Sequence, residues 1–490
     1  MLNAVIIVTA VALGGYLAFS RRLASSSSWK ATVTPLASIM GSGFLVSAPL
    51  LAGVVGNLAV VCMGLLLVLA YMVGGAIRFN IRHFEPIENK GHGPAQDIAF
   101  LSRIVLTGAY FISITYYLQL LGAFVLNALG SQNQAAASGI ATGLLVFIGG
   151  IGMWKGLGKL ESVEKYAISL NLGMIGALLV GLAIYNFDLV RGGSWALPPI
   201  DSTIDFNDLR VLLGLLIVVQ GFETSRYLGD EHPAEQRIAT MRTAQLVSTG
   251  IYLVFLALAT VLFHDNMGSD VTAIIGMTRP VALVLPLLLS IAAVGSQFSA
   301  AVADNSGAGG LLEDVTHRRL PMRYAYLLIL VVTVALTWET NVNEIIAYAS
   351  RAFALYYVLQ CAVAFVVAWQ KKDLSGRSMR LATYAFLAVM CSLVFILGIP
   401  SGSREVPCRS GMYEPRWRRF FWLQDGWLAG CCPCRRPCRR QTSCSACWVI
   451  RRRRDPGSKA ESSSVAALSQ HRSATWWPAS PSRSRCRLTR

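Results

Sequence analysis

The chain is expected to be an all-α polytopic membrane protein with about twelve transmembrane helices. Three observations carry that expectation. Its 490 residues are 54% hydrophobic and only 14% charged, and the mean hydropathy is +0.52. Twelve apolar stretches have about the 17–25 residues a bilayer core requires. Basic residues gather in every second connection, the pattern that sets orientation in membranes. This composition excludes a soluble enzyme.

The stretches run roughly over 3–20, 33–55, 57–79, 98–128, 136–154, 163–186, 209–228, 240–263, 279–303, 323–338, 343–369 and 380–399. The first is not expected to be a signal peptide, because nothing basic precedes Val5–Phe19 while Arg21 and Arg22 follow it. It reads as a helix with its N-terminus outside. The fourth, 98–128, is over-length and expected to tilt. Basic clusters follow at Arg78, Arg82 and Lys90, at Lys155, Lys159 and Lys165, at Arg226, Arg237 and Arg242, at Arg318, Arg319 and Arg323, and at Lys371, Lys372, Arg377 and Arg380. These loops are expected in the cytoplasm, with 80–97 and 229–239 among them and 187–208 outside. The location implied is a plasma membrane, the inner membrane in a bacterium. The lipid bilayer is the one macroscopic partner, and no nucleic acid is expected.

The net charge of +17 is concentrated at one end. From Arg404 onward there are 19 Lys and Arg against 5 Asp and Glu, and eight of the eleven cysteines lie there. Three domains follow: 1–30, an extra helix and cytoplasmic loop; 31–400, the core plus a final helix; 401–490, a tail rich in Arg, Cys, Ser and Trp. The abrupt change suits an aberrant, frameshift-like or disordered segment. A polybasic, palmitoylated anchor is a second reading. A metal site at Cys431, Cys432, Cys434, Cys438, Cys444 and Cys447 is a third, weakened by the lack of paired C-x2-C spacing and of histidine. Cys62, Cys361 and Cys391 sit within apolar stretches and read as packing residues.

Two stretches, five apart, contain candidate breaks: Gly41-Ser42-Gly43 within 34–55, and Gln220-Gly221-Phe222-Glu223 within 209–228. Lipid offers no partner to a freed N–H or C=O, so broken backbone survives only where it lines a cavity or meets a ligand. Matched breaks in two halves point to a transporter's central site. A half-helix starting after Gly43 would aim N–H groups at a carboxylate. The competing reading of Gly41 and Gly43 is close helix packing. Glu223, an intramembrane acid, is expected to couple or gate. Its competing reading is a structural ion pair with Arg226, at i, i+3.

The run GFETSRYLGDEHPAEQRIATMRTAQLVSTGIYLVF, Gly221 to Phe255, resembles the sixth core helix and following loop of the amino acid–polyamine–organocation (APC) superfamily, with Glu231, Pro233 and Arg237 in the matching places. GSGFLVSAPLLAGVVG, Gly41 to Gly56, resembles the first core helix. The resemblance implies a LeuT-type fold: five helices over 33–186, an inverted five over 209–369, one added N-terminal helix and one C-terminal helix. It implies a substrate site at Gly41, Ser42, Gly43, Gln220, Gly221 and Phe222. Tyr110, Tyr116 and Tyr117 of the third core helix, and Tyr356 and Tyr357 of the tenth, would flank the cavity, with Tyr110 and Tyr356 against substrate. Interface tyrosine is the alternative.

Asn171 stands where proton-coupled members often carry a lysine. Ser296 and Ser299 offer two hydroxyls on one face for a sodium ion, or bond back to their own helix. Asp304 and Asn305 are placed at the cytoplasmic exit. Arg351 departs from the family pattern and is expected to pair with Glu344 or Glu223, or to receive an anionic substrate. The function implied is secondary active transport of amino acids or related small organic solutes by alternating access, coupled to sodium or protons. No other cofactor is implied. A non-transporting sensor on the same fold is the rival. A channel lacks a filter sequence, and no catalytic cluster lies within the stretches.

Overall fold

In the computed structural model each hydrophobic stretch becomes helical, and one of them is broken. Residues 1–401 are described, apart from Asn89, Gln132, Asp201, Asp230, Glu231, Asp265, Asn266, Gly268 and Ser269; the side chains of Ala24, Ser42, Lys155 and 158–165 are also outside the description. The expectations for the tail and for Glu231 lie outside these residues. The helices are α1 (Leu2–Phe19), α2 (Arg21–Ser25), α3 (Ser27–Val55), α4 (Ala59–His83), α5 (Pro94–Ala128), α6 (Gln134–Lys155), α7 (Gly158–Arg191), α8 (Phe206–Leu213), α9 (Ala234–Ala259), α10 (Ala273–Thr278), α11 (Leu285–Val315), α12 (Met322–Glu339), α13 (Val342–Gln370) and α14 (Arg377–Leu397). Among the described residues ten helical spans are long and apolar enough to cross a membrane; the one over Ser27–Ile87 contains both α3 and α4.

Two expectations need correction. The first break does not occur: α3 runs without interruption through Gly41, Ser42 and Gly43, and even through Pro35 and Pro49. An interior glycine costs a helix about 1 kcal/mol. A freed backbone group in hydrocarbon costs several, so the continuous helix wins unless partners answer those groups. The second correction concerns 279–303. The helix here, α11, starts at Leu285 with a proline in its first turn and continues to Val315. Its polar residues Gln297, Asp304 and Asn305 are buried. They face protein interior, and the helix runs on past them. Asp304 is therefore well inside a long helix.

α5 is the central post. Its 35 residues span about 50 Å at 1.5 Å per residue, which suits the tilt expected of it, and it packs along α11 and α13. Helices in lipid approach through small residues, because hydrocarbon outside removes the drive for large ones. α1 illustrates this: a Cβ on Gly173 of α7 would stand 2.8 Å from Gly14 Cα. α1 thus lies backbone to backbone on α7.

Between α8 and α9 the chain leaves helical geometry. A short 3-10 turn covers Leu216–Val219, Gln220 is extended, Gly221 takes φ 115°, and a second 3-10 turn covers Phe222–Tyr227. A Cβ on Gly221 would lie 2.5 Å from Ser38 Oγ and 2.7 Å from Ile39 N. Both the left-handed φ and the approach to α3 require glycine.

The candidate solute cavity

Freed backbone groups at the break find partners one by one. Ile217 N–H donates to Ser350 Oγ of α13 at 2.9 Å. Val218 C=O accepts from Tyr252 Oη of α9 at 2.6 Å, and the same hydroxyl lies 3.2 Å from Ile39 O of α3. Gly221 N–H donates to Glu223 Oε2 at 3.0 Å. Buried N–H and C=O groups are almost always paired in this way. Glu223 is 1% exposed and also accepts from Tyr357 Oη at 2.8 Å. Its carboxylate is the cap of the second half of the segment.

The competing reading of Glu223, an ion pair with Arg226, is not what the structure shows. Arg226 turns the other way, donating to Gln360 and pairing with Glu88 at 3.4 Å, with its guanidinium 5.7 Å from the Phe84 ring centre. Arg237 pairs with Glu85 at 2.9 Å and also donates to Arg226 O. Arg103 reaches Glu88 at 3.5 Å. Losing one partner of a buried pair strands the other charge, so this network fixes the end of the broken segment to the α4–α5 connection and α9. Arg351 corrects another expectation: it donates to Phe395 O of α14 at 2.7 Å and lies over that ring. Glu344 is instead part of the capping box of α13, with Asn341.

A cavity of about 440 Å³ lies between α3, α5, α7, α11 and the second half of the broken segment. α3 contributes Thr34, Ala37, Ser38 and Gly41, an i, i+3, i+4, i+7 stripe down one helix face. α11 contributes Ser296, Ser299, Ala300, Ala303, Asp304 and Gly307 on the same spacing. Tyr110, Asn171, Thr224, Tyr227 and Ser306 complete the polar lining. Asp304 accepts from Ser113 of α5. Gln297 Nε2 bridges α11 to α3, donating to Gly41 O at 2.8 Å.

Of the residues singled out in the sequence, Gly41, Tyr110, Ser296 and Ser299 meet at this cavity. Asn171 and Asp304 meet there too. Gly43 does not; a Cβ there would lie 2.5 Å from Val218 Cα, so it is the close-packing glycine of the competing reading. Gln220, Phe222 and Glu223 are fully buried behind the wall. Gln220 donates to Tyr117 at 3.3 Å, and the Phe222 ring stacks on Tyr357 at 5.3 Å between centres. Tyr356 reaches the cavity only through Tyr227, hydroxyl to hydroxyl at 3.3 Å. Sequence reasoning missed Thr34, Ser38, Thr224, Tyr227 and the Gln297 bridge. The small-and-polar stripe from Thr34 to Gly41 was the signal that could have found the first two.

A many-helix membrane protein with a polar cavity against a broken, internally satisfied segment has the build of a solute-handling protein. Comparison with known sequences places it further. A profile of an APC superfamily transporter family matches residues 21–398, and the chain belongs to that superfamily. An uncharacterized protein of Aquifex aeolicus (strain VF5) is 44% identical over 376 residues, 75% of this chain and 90% of the relative.

Proposed function

We propose that the chain is a secondary active transporter of amino acids or related small organic solutes, working by alternating access with the 440 Å³ cavity as its solute site. The cavity's position carries this reading. It adjoins Gly221–Leu228, a segment whose backbone is freed at membrane depth and held by side chains rather than by a continuous helix. In this reading the two inverted halves are α3 to α7 and the broken segment to α13, with α1 and α14 added, which makes twelve crossings. The cavity uses the α3, α11 and segment residues nearest the basic loops Lys30, Arg237 and Arg318. By the positive-inside rule it faces the cytoplasm, and the N-terminus lies outside. The buried stack of Phe222 and Tyr357, and Tyr117 over Gln220, form the closed side.

Glu223 is the coupling residue of this reading. Protonating it neutralises the carboxylate and weakens the oxygen that accepts from Gly221 N–H and Tyr357 Oη, both of which lie at the closed side. The fit to sodium is partial. Ser296 donates to Ala293 O of its own helix, and the carbonyl of Gly41, which lines the same cavity, already accepts from Gln297. This supports a proton or exchange in preference to sodium.

Purified protein in proteoliposomes should accumulate its solute against a gradient, with a pH gradient driving uptake after choline replaces sodium. Binding without accumulation favours the sensor. Loss of uptake in choline returns sodium as the coupling ion.

A further inference from the structure

α1 meets α7 backbone to backbone along one edge, and beside that edge it leaves a space. A groove of about 370 Å³ runs between α1, α7 and α11. Val11, Gly15 and Ala18 form its α1 wall, and Tyr166, Leu170 and Met174 its α7 wall, each set on helical spacing down one face. Small residues of α1 make the room. A Cβ on Gly15 would meet nothing within 4 Å, whereas one on Gly14 would lie 3.4 Å from Ser169 O. No charged residue or amide lines the groove. Such a space suits a hydrocarbon chain rather than water or an ion.

Its length matches one leaflet. Ile7 to Phe19 is about 18 Å of helix at 1.5 Å per residue, against about 15 Å for half a bilayer core. Phe19 and Tyr166 close one end, with ring centres 6.0 Å apart. Tyrosine favours the depth of the lipid headgroups. Arg21 and Arg22 follow just beyond, in α2, and both are exposed. Neither pairs with a carboxylate among the described residues, and the first acidic residue of the sequence is Glu85. Other basic-loop arginines are answered within the protein: Arg82 by Glu235, and Arg237 by Glu85.

An apolar groove with two unanswered guanidiniums at its headgroup end is complementary to a lipid with a negative head. An acyl chain alone holds weakly, and a chain joined to a basic patch holds well. We propose that α1 and α7, against α11, bind an anionic glycerophospholipid, with one acyl chain in the groove and the phosphate head at Arg21 and Arg22. In the orientation proposed above this lipid belongs to the inner leaflet. The site is separate from the solute cavity, since α7 turns Leu170 to the groove and Asn171 to the cavity.

The test is native mass spectrometry of the purified full chain in detergent, after exchange into an equimolar mixture of phosphatidylglycerol and phosphatidylcholine with identical chains. Phosphatidylglycerol should be retained at least tenfold over phosphatidylcholine. Arg21→Gln combined with Arg22→Gln should bring the ratio near one. Gly15→Leu, which fills the groove where there is room, should lower retained phosphatidylglycerol at least tenfold; Ala18→Phe, from the same wall, replaces it if Gly15→Leu does not fold. Lys371→Gln combined with Lys372→Gln, an exposed basic pair elsewhere, should change neither value. Equal retention of the two lipids overturns the proposal, and so does undiminished retention in the folded groove variant. Loss of the preference in the Lys371, Lys372 variant would reduce it to a general attraction of basic loops and overturn the site. A dimer that Gly15→Leu dissociates would give the groove to a second copy of the chain, and overturns it too.

Discussion

α3 around Gly41 and the segment around Gly221 present the same sequence appearance, glycine-flanked and apolar, yet one is a continuous helix and the other is not. The difference lies in what surrounds them. The segment at Gly221 has Glu223 within its own run, and it receives Tyr252 from α9 and Ser350 from α13. Gly41 has one side-chain partner, Gln297, and that partner reinforces the helix from outside rather than replacing its bonds. A break in a membrane helix is therefore a property of the partners that meet it as much as of the glycine that permits it.

The sharpest way to break this comparison is a methyl group. Gly221→Ala should be the most damaging, since it combines a left-handed φ, costing about 1–2 kcal/mol, with a clash against the Ser38–Ile39 backbone. We expect misfolding or a large fall in the thermal midpoint in detergent. Gly43→Ala should come close to it, because the added carbon meets Val218 backbone at 2.5 Å.

Glu223→Ala is expected to fall below these. It strands Gly221 N–H and the Tyr357 hydroxyl, at about 1–3 kcal/mol for each buried group left unpaired. Glu223→Gln keeps an acceptor and should cost less stability, while transport driven by a pH gradient is lost. Stability equal to wild type in Glu223→Ala would show that the break does not depend on its cap.

The smallest effect has the opposite sign. Gly41→Ala adds a carbon with nothing within 4 Å, in the interior of a helix where alanine is favoured by about 1 kcal/mol. The protein should be equally or more stable by thermal unfolding, with at most a loss of solute affinity because Gly41 lines the cavity. A destabilised Gly41→Ala would mean that α3 opens there in a state the protein visits.

Much of the architecture was legible, because hydropathy and loop charge act locally. The positions of α1, α4, α6, α12, α13 and α14 follow from where apolar runs start and stop. The second break was legible for a related reason: Gln220, Gly221 and Glu223 place a polar pair and a permissive backbone inside four residues. What could not be read depended on partners far along the chain. Arg226 finds Glu88 and Gln360, and Arg351 finds Phe395. Neither choice has a signature within one helix turn. Asp304 was placed at the cytoplasmic exit, beyond the stretch 279–303. The extension of α11 to Val315 is what sets it in the cavity wall.

The contact of α1 with α7 also has a consequence in time. Ribosomes add roughly 5–20 residues per second. About 160 residues separate Gly14 from its partner Gly173, so on the order of ten to thirty seconds pass before the surface α1 packs on is made. During that wait lipid must cover the face that α7 later meets. The helix suits this: its hydropathy is 2.0, and only 17% of it is buried in the finished protein. The glycine that later admits α7 costs it little while it stands alone.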